Sequence, residues 1–156
     1  MKKVLFLHGL ESRPGGTKPT FLSRKGYKVF NPHLPKSSFE ESIKIAQSVI
    51  DVESPDVVIG SSRGAAVAMC LNTDNCGVIL IAPAWTRFSH SQNMDVLLSS
   101  DTMIVHSRHD SIVDFSDSEL LSKNSGAKLV SAGACHRMSD NDALEAMLDT
   151  VRWLTR

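Results

Sequence analysis

The pentapeptide Gly60-Ser61-Ser62-Arg63-Gly64 follows an apolar run at 56–59 (DVVI) and precedes a small-residue stretch, AAVAM. G-x-S-x-G in that context describes a sharp strand-to-helix turn that thrusts the Ser62 hydroxyl out of the backbone. The flanking glycines let neighbouring backbone approach where a Cβ would clash. A serine hydroxyl is a weak nucleophile and needs a base. His136, in GACHRM at 133–138, follows the last apolar run at 128–130 (KLV) and is the candidate. The base in turn needs a carboxylate on its other ring nitrogen. Asp110, a few residues beyond the run at 102–105 (TMIV), is the first choice, and Asp114 is the rival. The other role for Asp114 is to cap the helix that follows. Serine, acid, histidine in that chain order is the order of one triad architecture and differs from the orders used on other folds.

Two other constellations compete for attention. His106, His109 and Asp110 could suggest a metal cluster, but a lone H-x-x-H with no further ligands does not make one, and no metal is expected. Residues 8–18 (HGLESRPGGTK) follow a strand-like run and end in glycines and a lysine. A phosphate-cradling loop needs its lysine directly after the last glycine and a Ser or Thr after that lysine. Here the order is Gly16-Thr17-Lys18, so a phosphate cradle is not expected, and Lys18 is expected to be a solvated residue of the first helix.

The elements that must position these groups are legible as alternating runs. Residues 3–7 (KVLFL), 27–31 (YKVFN), 56–59, 77–81 (GVILI), 102–105 and 128–130 read as strands. Several are unbroken aliphatic runs, as in strands buried on both faces of a parallel sheet. Helices are expected at 39–52, with Ser37-Ser38 as cap and Ile43, Ala46, Val49 and Ile50 on one face, and at 65–71, 94–98, 116–123 and 141–154. The last carries Leu144, Met147, Leu148, Val151 and Leu154 on one stripe. Strand–helix alternation along the whole chain argues an α/β domain with one parallel sheet. In such sheets the ligand site lies beyond the carboxyl ends of the strands, where serine, acid and histidine all fall.

Length and composition set the bounds. The 156 residues suit a single domain, 1–156, with an ordinary 42% hydrophobic content. Lys+Arg and Asp+Glu are both 17, which argues against a general nucleic-acid or anionic-membrane surface. Cys70, Cys76 and Cys135 are an odd count without metal-ligand spacing, and read as free thiols in a reducing, cytoplasmic compartment. Cys135 reads as structural, not as a nucleophile. The start, MKKVLFL, mimics the basic end of a signal peptide, but its apolar run stops at His8. No segment approaches the length of a membrane span.

The sequence resembles the α/β-hydrolase superfamily along essentially its whole length. The resemblance is carried by HG at 8–9, GSSRG at 60–64, VHSRHDSIVD at 105–114 and GACHRM at 133–138. More narrowly, HGLESRPGGTK with GSSRG and a terminal GxxHR is similar to a small, lidless group of serine esterases within it. The resemblance implies a three-layer α/β/α domain and Ser62 as nucleophile, Asp110 as acid and His136 as base. It implies an oxyanion hole from the backbone N–H groups of Leu10 and Arg63. The family commonly begins with an antiparallel strand pair, whereas this chain opens on the strand leading to His8. That implies six parallel strands in the order 2-1-3-4-5-6.

The function expected is a serine hydrolase cleaving carboxylic esters or thioesters of small to medium acyl groups through an acyl-enzyme. It needs no cofactor, has a small-molecule partner rather than nucleic acid or membrane, and is a monomer or small homo-oligomer. The alternative is a protein-binding module on a hydrolase scaffold with weak or vestigial catalysis. A peptidase or acyltransferase would use the same triad. Trp85 and Phe88, with Leu10, Ile112, Val113 and Met138, are candidates for an apolar pocket wall. Arg63, Arg108 and Arg137 flank the triad members in sequence and could favour an anionic acyl or leaving group.

Overall fold

A computed structural model describes residues 1–88 and 101–156. The described residues form β1 (Lys3–Leu7), α1 (Thr17–Arg24), β2 (Lys28–Phe30), α2 (Phe39–Glu53), β3 (Val57–Ser61), α3 (Arg63–Ala68), β4 (Gly77–Ile81), β5 (Thr102–His106), α4 (Phe115–Ser125), β6 (Lys128–Ser131) and α5 (Asn141–Leu154). The helix expected at 94–98 lies outside the described residues.

The six strands form one parallel sheet in the order β2-β1-β3-β4-β5-β6. Why the runs are unbroken is visible in how their side chains divide. Leu5, Leu7, Val58, Val78, Leu80 and Ile104 enter one core. Their neighbours Val4, Phe6, Val57, Ile59, Ile79, Ile81 and Val105 enter the other. Successive strand residues point to opposite faces, so a sheet covered on both sides needs apolar residues at every position. The first core is closed by α2, α3 and α4 through residues such as Ala46, Val67 and Leu121. The second is closed by α1 and α5 through Leu22, Met147, Leu148 and Val151. The result is a three-layer α/β/α sandwich.

Local chemistry fixes where the helices begin. The Ser38 hydroxyl accepts the Glu41 N–H at 3.1 Å, satisfying one orphan donor of α2. Asp114 does the same for α4 through the Ser116 N–H at 2.9 Å. Asp140 caps α5 through the Ala143 N–H. The third helix starts at Arg63, two residues earlier than its apolar pattern suggests, because the turn at Ser62 feeds straight into it.

Candidate active site

Side chains from the ends of β3, β5 and β6 meet above the sheet. Ser62 is the residue between β3 and α3, with φ 56° and ψ −113°. That is a left-handed φ in a residue with a Cβ, a strained state that persists only where the surroundings over-determine it. They do so here. The Ser62 N–H donates to the Ile81 carbonyl at 2.9 Å, and the Ser62 carbonyl accepts the N–H groups of Ala65 and Ala84 at 3.1 and 3.2 Å. The two motif glycines are required by space. A Cβ on Gly60 would overlap the Gly64 carbonyl oxygen, and one on Gly64 would overlap the carbonyl oxygen of Leu7 in β1. The motif thus lets helix, turn and neighbouring strand approach at backbone distance.

The exposed Ser62 Oγ stands 3.1 Å from Nε2 of His136. His136 Nδ1 stands 2.6 Å from Oδ2 of Asp110. The other oxygen, Oδ1, accepts the N–H groups of Ile112 and Val113, each at 2.8 Å. Burial alone would raise the Asp110 pKa. The Val113 N–H, His136, the Ile112 N–H and His106 together outweigh burial and hold the carboxyl below its usual range. An ionised carboxylate only accepts, so His136 carries its proton on Nδ1 and presents a bare Nε2 to the serine hydroxyl. Asp114 is not at the imidazole, because its carboxylate is spent on the cap of α4.

A second histidine on this acid is absent from the motif reading. His106, the last residue of β5, is fully buried, and its Nε2 lies 2.9 Å from the same Asp110 Oδ2. Its Nδ1 lies 2.7 Å from the hydroxyl of Ser118 on α4, also fully buried. The same acceptor argument puts its proton on Nε2, so Ser118 donates to Nδ1. The sequence signal was there: a lone histidine closing the otherwise apolar run TMIVH, one helical turn before an acid. Its ligand-like spacing serves Asp110, and among the described residues no group of His, Cys, Asp and Glu could hold a metal ion.

The loop after β1 runs beneath the serine. His8 is buried, its Nε2 accepts the Leu34 N–H at 2.9 Å, and its Nδ1 therefore donates to the Gly9 carbonyl at 2.8 Å. Burial lowers the His8 pKa, which keeps this neutral tautomer in place. The Ser12 N–H also donates to the Gly9 carbonyl. In a trans peptide the N–H points opposite the C=O, so the Leu10 N–H faces away from His8. Among the described residues neither the Leu10 nor the Arg63 N–H has a hydrogen-bond partner. The histidine loop is held from below, with Ser107 Oγ donating to the Gly133 carbonyl at 2.8 Å and Asp142 accepting the Gly133 N–H at 2.8 Å.

These groups open onto a cleft of about 720 Å³. Leu10, Phe88 and Ile112 line it, as the apolar-wall expectation has it. Trp85, Val113 and Met138 do not. Trp85 is buried in the first core with its indole N–H donating to the Asp117 carbonyl, Val113 is buried, and Met138 is buried against Gly133 and Ala143. Of the three arginines flanking the triad, Arg137 alone lines the cleft. The Arg63 side chain is buried under it, donating to the Pro35 carbonyl and Ser42 Oγ and lying over the rings of Phe39 and Phe88. Arg108 stacks on Phe115 at 4.6 Å. Lys18 lies on α1 as expected, but it is tied down rather than free in solvent. It lines the cleft, half-buried, and its Nζ donates to the Arg137 carbonyl at 2.6 Å.

No family model matches the chain, and no curated protein matches it by sequence. Solved structures do match it in three dimensions. The mouse alpha/beta hydrolase domain-containing protein 10 superposes with a TM-score of 0.78 at 13% identity, over 97% of this chain and 88% of that one. The esterase domain of a Rhodothermus marinus protein gives 0.74 at 21% identity, over 99% and 86%. The ydeN gene product of B. subtilis gives 0.74 at 14% identity, over 99% and 98%. With the strand order above, these likenesses establish the α/β-hydrolase fold. Among the described residues no helix is long and apolar enough to cross a membrane.

Proposed function

We propose that the protein is a serine hydrolase that cleaves carboxylic esters or thioesters of small to medium acyl groups. The observation that carries this reading is the continuous chain from Ser62 Oγ through His136 to an ionised, buried Asp110, opening onto a cleft. Ser62 Oγ attacks the acyl carbonyl carbon while His136 Nε2 takes its proton. The developing oxyanion lies between the N–H groups of Leu10 and Arg63. Collapse of the tetrahedral adduct breaks the bond to the leaving oxygen or sulfur, which receives the proton from His136 Nε2. Water then attacks the acyl-serine, His136 takes one of its protons, and the second adduct expels the carboxylic acid and returns the proton to Ser62. Asp110 stays ionised throughout, orienting the ring and stabilising the imidazolium. A cleft of this volume accommodates a ligand of modest size.

The test is turnover of matched acyl esters, thioesters and amides by wild type and Ser62→Ala. Ester or thioester turnover that falls by roughly 10⁴-fold or more in the variant is the expected result. Equal rates for the two proteins would overturn the reading.

A further inference from the structure

The walls of the cleft carry an uneven charge. Arg13 from the loop after β1, Lys18 from α1, Arg87 from the segment after β4 and Arg137 from the histidine loop all line it. They come from three separate stretches, around 13–18, 87 and 137, of a chain whose cations and anions balance at 17 each, so the excess is local. The one acid lining the cleft among the described residues, Glu11, is taken by Lys36 at 2.9 Å. None of the four cations meets a carboxylate among the described residues. Elsewhere Lys2, Lys3 and Arg152 do, with Asp56, Glu53 and Asp149.

Two of the four are aimed by backbone carbonyls. Lys18 Nζ donates to the Arg137 carbonyl at 2.6 Å, which spends one of its three N–H donors and leaves two. Arg87 donates to the Ile112 carbonyl on the opposite wall. Lys18 and Arg137 stand beside His136, the group that must hand its proton to the departing oxygen or sulfur. Both line the same cleft as His136, so a leaving group held there lies within the field of this pair.

We propose that the cleft takes esters or thioesters whose leaving group carries a negative charge, a carboxylate or a phosphate, held by Lys18 and Arg137. This rests on the serine-hydrolase reading above. Burial first and Arg137 second bring the Lys18 pKa down to about 8. A bound anion favours the charged ammonium and offsets both effects. Arg13 and Arg87 extend the positive field to the mouth and draw anionic substrates in.

The experiment compares three butyryl esters with the same acyl group. One has 4-hydroxyphenylacetate as leaving group, one has its neutral primary amide, and one has 4-hydroxybenzylphosphonate. The expected kcat/KM for the charged esters is roughly 10–100-fold above that of the neutral amide. The ratio should shrink with added salt. It should approach one in Lys18→Gln/Arg137→Gln and persist in Lys18→Arg. A ratio taken within one protein is insensitive to the fraction folded. A larger ratio for the carboxylate than for the phosphonate, or the reverse, identifies which anion the pair fits. Turnover of all three esters at equal rates would overturn the charge assignment and leave the hydrolase reading standing. A fourth substrate, the hemisuccinate ester of a neutral phenol, puts the charge on the acyl side; a charge preference found only there would overturn the leaving-group assignment. No turnover of any ester and no fluorophosphonate adduct at Ser62 would overturn both readings.

Discussion

Two histidines share one oxygen of Asp110. His106, from the end of β5, approaches Oδ2 at 2.9 Å, and His136, from the loop after β6, approaches it at 2.6 Å. The side chain of the first is fully buried and that of the second is 21% exposed. The bond to the acid is nearly the same, so what separates the two rings is the fate of the other nitrogen. In His106 it is closed off by Ser118, under the first core and the ring of Phe115. In His136 it faces Ser62 and the cleft. One ring is a strut and the other can move a proton. Burial and a competing hydroxyl decide which. His106 supplies one of the donors that keep Asp110 ionised at neutral pH, and so acts on the serine only through the acid.

The largest effect is expected at the ring that faces the cleft. His136→Ala should lower kcat by roughly 10⁴–10⁶-fold while leaving thermal stability near wild type, read by turnover and by the melting transition. Asp110→Asn removes the acceptor both rings use. Ester turnover should fall by about 10⁴-fold, with His136 left in the wrong tautomer. Because folding lowers the Asp110 pKa, its contribution to stability is complete above the ordinary carboxylate value, about 3.9, and is lost as pH falls through the folded value. Wild type should therefore lose stability more steeply than Asp110→Asn below about pH 4 in acid-unfolding curves. From the closed side, His106→Phe fills the same space without the hydrogen bonds. A loosened acid should cost about 10–100-fold in kcat with KM little changed, and His106→Gln, which keeps an N–H donor, should recover part of it. An unchanged kcat in His106→Phe would mean that the Ile112 and Val113 N–H groups alone position the acid. The smallest effect belongs far from both rings. Ser38→Ala removes the α2 cap and should cost about 1 kcal/mol in denaturant unfolding, with turnover unaltered.

What the sequence disclosed follows the same division between pattern and packing. The two-faced parallel sheet was legible, because unbroken runs such as VLFL and VILI have one economical home, a sheet covered on both sides; the strand order came from the resemblance to the α/β-hydrolase superfamily and not from the runs. Ser62, Asp110 and His136 were legible by type and by position at strand ends, and the fold brings them within hydrogen-bond distance of one another. His106 was visible as a residue but its partner was not. Ser118 lies twelve positions on, on a helix whose inward face no local pattern links to a strand end. Lys18 misled for a related reason. It lies on α1, and its partner is a carbonyl 119 residues away, a pairing that only the tertiary fold creates. Trp85 and Met138 have the right chemistry for a pocket wall, but the cores on either side of the sheet claim them first. Met138 adopts φ 52° in the tight turn after the histidine, which sends its side chain inward beneath Gly133.

The proposed mechanism requires Ser62 to be an activated nucleophile. Its most direct test is the intact mass of wild type and Ser62→Ala after treatment with a fluorophosphonate, which is attacked by an activated serine with loss of fluoride. One phosphonyl adduct on wild type and none on the variant is the expected result. Folded wild type that takes up no adduct, or a Ser62→Ala protein labelled as fully as wild type, would contradict it.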